Sequence, residues 1–162
     1  MYDLSIVIPT CNRASLLAQC LQSVIDSVKC CYEVIVVDGA SSDDTPRVLQ
    51  RASILMGPSL RVIEETRREG FVRAVNKGFR AAQGQFLTWV NDDARPLEHA
   101  LDRAVDQLAF SPRDVGMVAI FQPASVPVIR TSAGRSSAAT AGGSVCRRSA
   151  RPLASKRSMT LA

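Results

Sequence analysis

Two adjacent carboxylates follow an apolar run near the middle of the chain, in the stretch GQFLTWVNDDARP of residues 84–96. The run itself reads as a buried strand, and Asn91, Asp92 and Asp93 come directly after it. Two neighbouring negative charges repel each other, and burying either one without a partner is costly. Oxygen ligands of this kind suit Mg²⁺ or Mn²⁺, which proteins hold with one or two carboxylates and the phosphates of a substrate. The stretch therefore predicts a divalent-metal site, with a solvated turn in which Asp93 caps the next helix as the alternative.

Polar residues follow two earlier apolar runs in the same way. The first run ends in PTCNR, residues 9–13, and the second ends on Asp38. A carboxylate at such a strand end can accept hydrogen bonds from a ribose or a base edge. Ser41, Ser42 and Asp43 come next, either as helix caps or as ligand contacts. Because ligands of parallel α/β sheets bind beyond the carboxyl ends of the strands, we expect these groups to share one site.

Several common chemistries are disfavoured by the sequence. The first strand is not followed by a G-x-G-x-x-G turn, and no G-x-x-x-x-G-K-[ST] loop occurs, so neither a dinucleotide fold nor a P-loop is indicated. The one histidine, His99, lies off the apolar stripe of its predicted helix, among charged residues. Cys11 lacks a histidine base, so a nucleophilic triad is also disfavoured.

The elements that must position these residues alternate between two periodicities. Short, β-branched, nearly continuous apolar runs are typical of strands covered on both faces. Between them lie four stripes with helical spacing. The second helix is predicted to begin at Ser41 or Ser42, and the fourth stripe begins at Leu97. This alternation predicts an α/β fold, a Rossmann-like, largely parallel sheet with helices on both faces. The predicted strands span residues 4–9, 32–38, 60–65, 85–90 and 115–121.

Charge and composition separate the body of the chain from its end. Residues 1–130 hold 14 basic and 15 acidic residues, whereas residues 131–162 hold six basic residues and no acidic one. We predict that residues 123–162 form a low-complexity basic tail, disordered because it cannot bury enough apolar surface. Such a tail could bind anionic lipid or, without sequence specificity, nucleic acid.

The cysteines and the apolar segments bear on the compartment. Five cysteines without a C-x-x-C pair argue against a zinc site and a disulfide framework, and favour reduced thiols. The N-terminus lacks the basic region of a signal peptide, and no apolar run is long enough to span a bilayer. We therefore expect a cytoplasmic protein, with peripheral membrane association left open by the tail.

Three segments together resemble the N-terminal half of family 2 glycosyltransferases, over residues 3–120. They are LSIVIPTCNRASLLAQCLQSV, YEVIVVDGASSDDT and REGFVRAVNKGFRAAQGQFLTWVNDDARP. The resemblance implies a GT-A-like nucleotide-sugar-binding domain over residues 1–122. Members of this family transfer a sugar from a nucleotide-diphosphate donor, usually with inversion, so a UDP- or dTDP-sugar and a saccharide or lipid-linked acceptor are the expected partners.

The resemblance also implies roles for individual residues. Asp93 matches the metal ligand of the family's D-x-D motif, whose first position is Asn91 here. Arg73 is the candidate to replace an arginine that relatives carry where this chain has Val75. The residues expected at the donor nucleotide are Pro9, Thr10, Asn12, Arg13, Asp38, Ser41, Asp43, Arg73, Asn91 and Asp92.

One feature of the family is missing from the matching region. Inverting transfer needs a general base, and no acidic residue follows Asp114, so the catalytic base is unknown. A truncated or frameshifted reading frame is the hypothesis that this suggests. Three interpretations stay open: a glycosyltransferase, a non-catalytic nucleotide-binding fragment, and an interaction protein that acts through its basic tail.

Overall fold

The computed structural model describes residues 1–112, residues 114–120 and the backbone of residues 157–161. Its strands are β1 (Leu4–Thr10), β2 (Tyr32–Asp38), β3 (Leu60–Glu64), β4 (Phe86–Trp89), β5 (Met117–Ile120) and β6 (Arg157–Leu161). Its helices are α1 (Ala14–Ser27), α2 (Thr45–Met56), α3 (Phe71–Ala81) and α4 (Ala100–Phe110), and a short 3₁₀ turn, Gly57–Ser59, leads into β3.

The strands form one parallel sheet in the order β3-β2-β1-β4-β6-β5. In its central part Leu4 pairs with both Tyr32 and Phe86, so β1 lies between β2 and β4. Crossover connections through helices are what parallel pairing of successive strands requires. The predicted α/β fold with a largely parallel sheet is confirmed.

Apolar side chains cover both faces of the sheet. Alternate residues of β1 point to opposite sides, so Ile6 and Ile8 pack with α1, α2 and α4, whereas Val7 packs with α3. On the α3 side, a Cβ built on Gly78 would lie 2.3 Å from Val7 Cγ1. Only glycine therefore lets α3 approach β1 this closely. The prediction of helices on both faces is confirmed.

Two helices begin later than the sequence pattern predicts. The second helix starts at Thr45 and not at Ser41 or Ser42, because those residues make contacts with the turn after β1. The fourth helix starts at Ala100, and Leu97, the first residue of its predicted stripe, is exposed. Within the described residues, no helix has the length and apolarity that crossing a bilayer requires.

Five residues of the predicted tail fall within the described part of the chain, and they form a strand. Arg157–Leu161 forms β6, which inserts between β4 and β5 and pairs with both in parallel. The prediction averaged composition over residues 131–162, and such an average hides a five-residue segment that can pair its backbone with two strand edges. The remainder of the predicted tail, residues 123–156 and 162, lies outside the described residues.

Candidate functional site

A cleft of about 360 Å³ lies beyond the carboxyl ends of β1, β2, β3 and β4. It is referred to below as the strand-end cleft. Its position follows from the topology, because parallel strands present their carboxyl ends, and the loops after them, along one edge of the sheet. The lining residues are Pro9, Thr10, Cys11, Arg13, Gly39, Glu65, Arg68, Gly70, Phe71, Ala74, Asn91, Asp92 and Asp93.

The two adjacent carboxylates after β4 share one cation. Arg13 donates from one guanidinium nitrogen to Asp92 Oδ1 at 2.8 Å and from the other to Asp93 Oδ2 at 2.9 Å. The Asp92 side chain is 4% exposed, whereas those of Arg13 and Asp93 are 44% and 46% exposed. The fork of the guanidinium matches two acceptors in fixed directions, so one arginine reduces the repulsion between both charges. The predicted cap of the next helix by Asp93 is not formed, because α4 begins seven residues later.

The Asp92 side chain is also held by the last residue of β1, Thr10. Thr10 Oγ1 donates to Asp92 Oδ2 at 2.9 Å, so both carboxylate oxygens of this buried residue have a donor. Burial raises the pKa of Asp92, and the contacts from Thr10 and Arg13 oppose that rise. The Asp92 carboxylate is thus held in one orientation by Thr10 and Arg13, and Asp93 is the carboxylate open to the cleft.

The residues after β1 and β2 bind each other. Asn12 has a φ of 54°, a left-handed conformation that asparagine tolerates better than most residues. Its side-chain oxygen accepts the N–H groups of Ser42 at 2.7 Å and Asp43 at 3.3 Å, and its own N–H donates to Ser41 Oγ at 2.8 Å. Asp38 is 5% exposed and accepts both the N–H and the hydroxyl of Ser41. These contacts join the loop after β1 to the loop after β2, and the joined loops are referred to below as the wall.

Asp43 belongs to the same wall. Its Oδ1 accepts the N–H of Thr45 at 2.9 Å, and its Oδ2 accepts the N–H of Ala14 at 3.0 Å. It therefore satisfies orphan donors at the first turns of both α1 and α2. The structure thus brings Pro9, Thr10, Arg13 and the Asn91–Asp93 turn to the strand-end cleft, whereas Asn12, Asp38, Ser41 and Asp43 are not among the residues that line it.

The third strand contributes residues that the sequence analysis missed. Glu65 follows β3, lines the cleft and receives the Lys77 ammonium at 2.8 Å and the N–H of Glu69 at 3.0 Å. Lys77 also contacts Glu69 at 2.7 Å, and these two carboxylates raise the pKa of Lys77. This cluster fastens the loop that carries Arg68, whose stem lies over Gly39. The strand-end rule, that ligands bind beyond the carboxyl ends of parallel strands, would have found this cluster if applied to residues 65–70.

Of the remaining candidates, one lines the cleft and two do not. Arg73 is exposed on α3 and is not among the residues that line the cleft, while Val75 is buried beneath the helix. Asn91 lines the cleft, and its carbonyl accepts the N–H of Ala94 at 3.0 Å. His99 is not among the residues that line the cleft, and its Nδ1 lies 3.1 Å from Asp102 Oδ2.

The thiol of Cys11 lines the cleft and makes a hydrogen bond to the backbone. Cys11 Sγ donates to the carbonyl of Gly39 at 3.2 Å. Four of the five cysteines fall within the described residues, and none of these four forms a disulfide.

The carboxylates fit a metal site that is completed by ligand oxygens, and not one formed by protein side chains alone. Within residues 1–112 and 114–120, no three His, Cys, Asp or Glu side chains are grouped so that they could hold a metal ion by themselves. Mg²⁺ is commonly bound by one or two carboxylates together with substrate phosphates and water. Asp93, open to the cleft beside the oriented Asp92, provides that kind of partial donor set.

Sequence comparison places relatives over most of the described chain. Glycosyltransferase AglE of Haloferax volcanii is 30% identical over 107 residues, which are 65% of this chain and 35% of the relative. The GalNAc(5)-diNAcBac-PP-undecaprenol beta-1,3-glucosyltransferase of Campylobacter jejuni is 33% identical over 101 residues, 62% of this chain and 33% of the relative. The chain thus spans about a third of the length of these curated relatives.

Solved structures share the fold. The mannosyltransferase PcManGT from Pyrobaculum calidifontis, in complex with GDP-Man and Mn²⁺, is 31% identical with a TM-score of 0.66, over 75% of this chain and 36% of that one. TarS of S. aureus, in complex with UDP-GlcNAc, is 23% identical with a TM-score of 0.59, over 66% of this chain and 31% of that one. The second likeness concerns the fold alone, and both agree with the expected GT-A type.

The family assignment rests on a longer match than the sequence motifs indicated. Residues 5–151 match the family described as Glycosyl transferase family 2. The match therefore continues past residue 120, where the motif resemblance was expected to stop, and into the segment predicted as a low-complexity tail. The chain belongs to glycosyl transferase family 2.

Proposed function

We propose that this chain binds a nucleoside-diphosphate sugar together with Mg²⁺ or Mn²⁺ in the strand-end cleft, as the donor-binding part of an inverting glycosyltransferase. The observation that carries the proposal is the pairing of an open carboxylate, Asp93, with the buried and oriented Asp92 at the end of β4. A metal site of one or two carboxylates needs oxygens from its ligand, and a diphosphate supplies them.

The charges of the cleft support this placement of the diphosphate. Asp93 would hold the metal, with Asp92 fixing the turn that presents it. Arg68 lines the cleft, and no carboxylate contacts it among the described residues, so its guanidinium is available to phosphate oxygens. When bound, the divalent ion supplies positive charge to the departing diphosphate.

The nucleoside would lie along the wall between the loops after β1 and β2. Pro9 and Thr10 line this side of the cleft together with Gly39, where an added Cβ would lie 3.3 Å from the Cβ of Cys11. Asn12, Asp38, Ser41 and Asp43 act in this proposal mainly by holding the wall rigid, and Asn91 lies at the rim towards the ribose. We propose no donor contact for Arg73, because it lies outside the cleft lining.

The proposal concerns donor binding before it concerns transfer. A general base must be able to take a proton from the acceptor hydroxyl. The carboxylates that line the cleft in the described part of the chain are Glu65, Asp92 and Asp93, and each contacts a cationic side chain. Donor binding is therefore the step to which these residues are suited.

Calorimetric titration with UDP, GDP and dTDP, each with and without Mn²⁺, tests the proposal. All three are needed because the sequence motifs suggest UDP or dTDP, whereas PcManGT is a complex with GDP-Man. We expect one of them to bind in a metal-dependent way, and Asp93→Asn to weaken that binding by at least about tenfold, or ~1.4 kcal/mol. Asp106→Asn, which neutralises an exposed carboxylate on α4, is the matched control and should bind like the unmodified protein.

Two results would contradict the proposal. One is a folded protein that binds none of the three nucleotides at any Mn²⁺ concentration. The other is nucleotide binding that neither EDTA nor Asp93→Asn reduces.

A further inference from the structure

The cation that balances the two carboxylates belongs to the protein itself. Arg13 spans Asp92 and Asp93 with one guanidinium nitrogen on each, at 2.8 and 2.9 Å. Its contact with Asp93 uses the same carboxylate that the proposed metal would need. The guanidinium and a divalent ion are therefore competitors for Asp93.

A free divalent ion gains little from winning this competition. It must shed part of its water shell, which Mg²⁺ does reluctantly. It must also displace a charge-assisted hydrogen bond and then lie close to the guanidinium that it displaced, since Arg13 is still held by the buried Asp92. Two cations beside each other repel by the same electrostatic law that made the bare carboxylates repel.

A diphosphate changes this balance. It brings negative oxygens into the cleft that coordinate the ion and also accept hydrogen bonds from the released arm of Arg13. Arginine is suited to this exchange because its planar fork binds carboxylate and phosphate with the same geometry. Arg13 lines the cleft and its side chain is 44% exposed, so it need not unfold anything to turn towards the ligand.

Among the described residues, no other cation near the cleft contacts Asp92 or Asp93. Lys77 is held between Glu65 and Glu69, and Arg68 approaches the cleft over Gly39 without an ion pair among the described residues. Exchange with the metal therefore falls to Arg13.

We infer that Arg13 is a specificity-determining residue that lets the Asp92–Asp93 pair accept a divalent ion only together with a diphosphate. The inference rests on the proposed function, which it deepens by giving the order of binding: the metal enters with the nucleotide and not before it. The residue acts as a stand-in cation that the metal replaces at Asp93 and that the diphosphate then receives.

The test measures Mn²⁺ alone and Mn²⁺ with nucleotide. Electron paramagnetic resonance counts free Mn²⁺, and protein-free samples correct for Mn²⁺ held by the nucleotide. For the unmodified protein we expect Mn²⁺ to bind at least about tenfold more tightly with the best of UDP, GDP and dTDP than without it. For Arg13→Gln we expect about tenfold tighter binding of Mn²⁺ alone and weaker metal-dependent binding of the nucleotide.

Control variants separate the exchange from general changes of charge or fold. Arg51→Gln removes an exposed charge from α2 and should leave both affinities unchanged. Arg13→Lys keeps the charge but cannot fork, so Mn²⁺ alone should bind more tightly than to the unmodified protein and less tightly than to Arg13→Gln. Adding Asp93→Asn to Arg13→Gln should remove the gain for Mn²⁺ alone.

The opposite signs of the two effects make the inference falsifiable. It is overturned if Arg13→Gln, folded by circular dichroism, does not bind Mn²⁺ alone more tightly. It is equally overturned if a nucleotide binds the unmodified protein and Mn²⁺ nevertheless binds as tightly without that nucleotide as with it, a result that requires no variant to fold. If no nucleotide binds while Arg13→Gln still gains affinity for Mn²⁺, the proposed function fails and the exchange at Asp93 is upheld.

Discussion

Glu33 and Asp92 are both buried carboxylates that face an arginine, yet they lie at opposite ends of the parallel strands. Glu33 is near the start of β2, with its side chain 2% exposed and its Oε2 3.5 Å from Arg61. Asp92 follows β4, with its side chain 4% exposed and Arg13 at 2.8 Å. Burial and an ion pair are common to both.

The two carboxylates differ in the groups that surround the ion pair. Glu33 Oε1 accepts the hydroxyl of Ser5 and the N–H of Gln83, both at 2.6 Å, and Ser5 in turn accepts the N–H of Gly84 at 2.8 Å. Every one of these partners is part of the scaffold. Asp92 instead shares its arginine with an open carboxylate on a cleft. A buried ion pair thus indicates a site only when its cation has a second, accessible anion to exchange.

The largest effect on stability is expected at Glu33. Glu33→Ala leaves Ser5 and Gln83 without their acceptor and Arg61 without its carboxylate, so we expect the free energy of unfolding to fall by about 3 kcal/mol. Denaturant melts measure it, with Glu64→Ala, an exposed residue of β3, as the control within about 0.5 kcal/mol. Nucleotide affinity per folded molecule should stay unchanged; a loss there would place Glu33 in the functional site and break the comparison.

A smaller effect, with a distinctive pH dependence, is expected at Asp92. Because burial raises its pKa in the folded state, the folded protein binds more protons than the unfolded chain just above the ordinary aspartate pKa. Asp92 therefore contributes stability that is fully present at low pH and is lost as the pH rises through the folded pKa. Asp92→Asn removes this slope, and at neutral pH we expect a change within about 1 kcal/mol.

Melts of the unmodified protein and of Asp92→Asn between about pH 2 and pH 7 measure that slope. Asp102 supplies the opposite case: burial acts to raise its pKa, but the N–H groups of Cys30 and Lys29 outweigh burial and the net pKa is lowered. Its contribution is present above the unfolded pKa and lost on acidification, so Asp102→Asn should change the slope in the other direction. Equal slopes for the two variants would be inconsistent with the roles given to Asp92.

The smallest effect on stability is expected at Asp93. Its side chain is 46% exposed, and solvent screens its contact with Arg13, so Asp93→Asn should change the free energy of unfolding by less than about 0.5 kcal/mol. The same variant is expected to lose metal-dependent nucleotide binding. Parallel melts and titrations measure the two, and a destabilisation as large as that of Glu33→Ala would mean that Asp93 is structural.

The fold was predictable because the strands are nearly continuous apolar runs. The β2 strand, YEVIVVD, has the predicted bounds, and the cores on the two faces follow the alternation of β1. The start of α2 was not predictable in the same way. Asn12 takes the N–H groups of Ser42 and Asp43, thirty residues later in the chain, and no local pattern reports such a contact.

The position of the candidate site was predictable from the sequence, whereas the contacts between its side chains were less so. The strand-end rule located Thr10 and the Asn91–Asp93 turn, because it follows from topology. It could not show that Arg13, assigned by resemblance to the nucleotide, contacts the two carboxylates, since that pairing joins residues 80 positions apart. Nor could it show that Asp38 turns its oxygen to Ser41, which depends on the shape of one loop.

The central place of β1 in the sheet has a consequence for how the protein is made. Strand β1 leaves the ribosome before β2 and β4, between which it lies in the sheet, so one edge of it has no neighbour until residues 86–89 emerge. At about 5–20 residues per second, the 80 residues from Arg13 to Asp93 take roughly 4 to 16 seconds to synthesise. During translation the nascent chain therefore carries an unpaired strand edge and an arginine without its two anions, the interval in which a chaperone has most to protect.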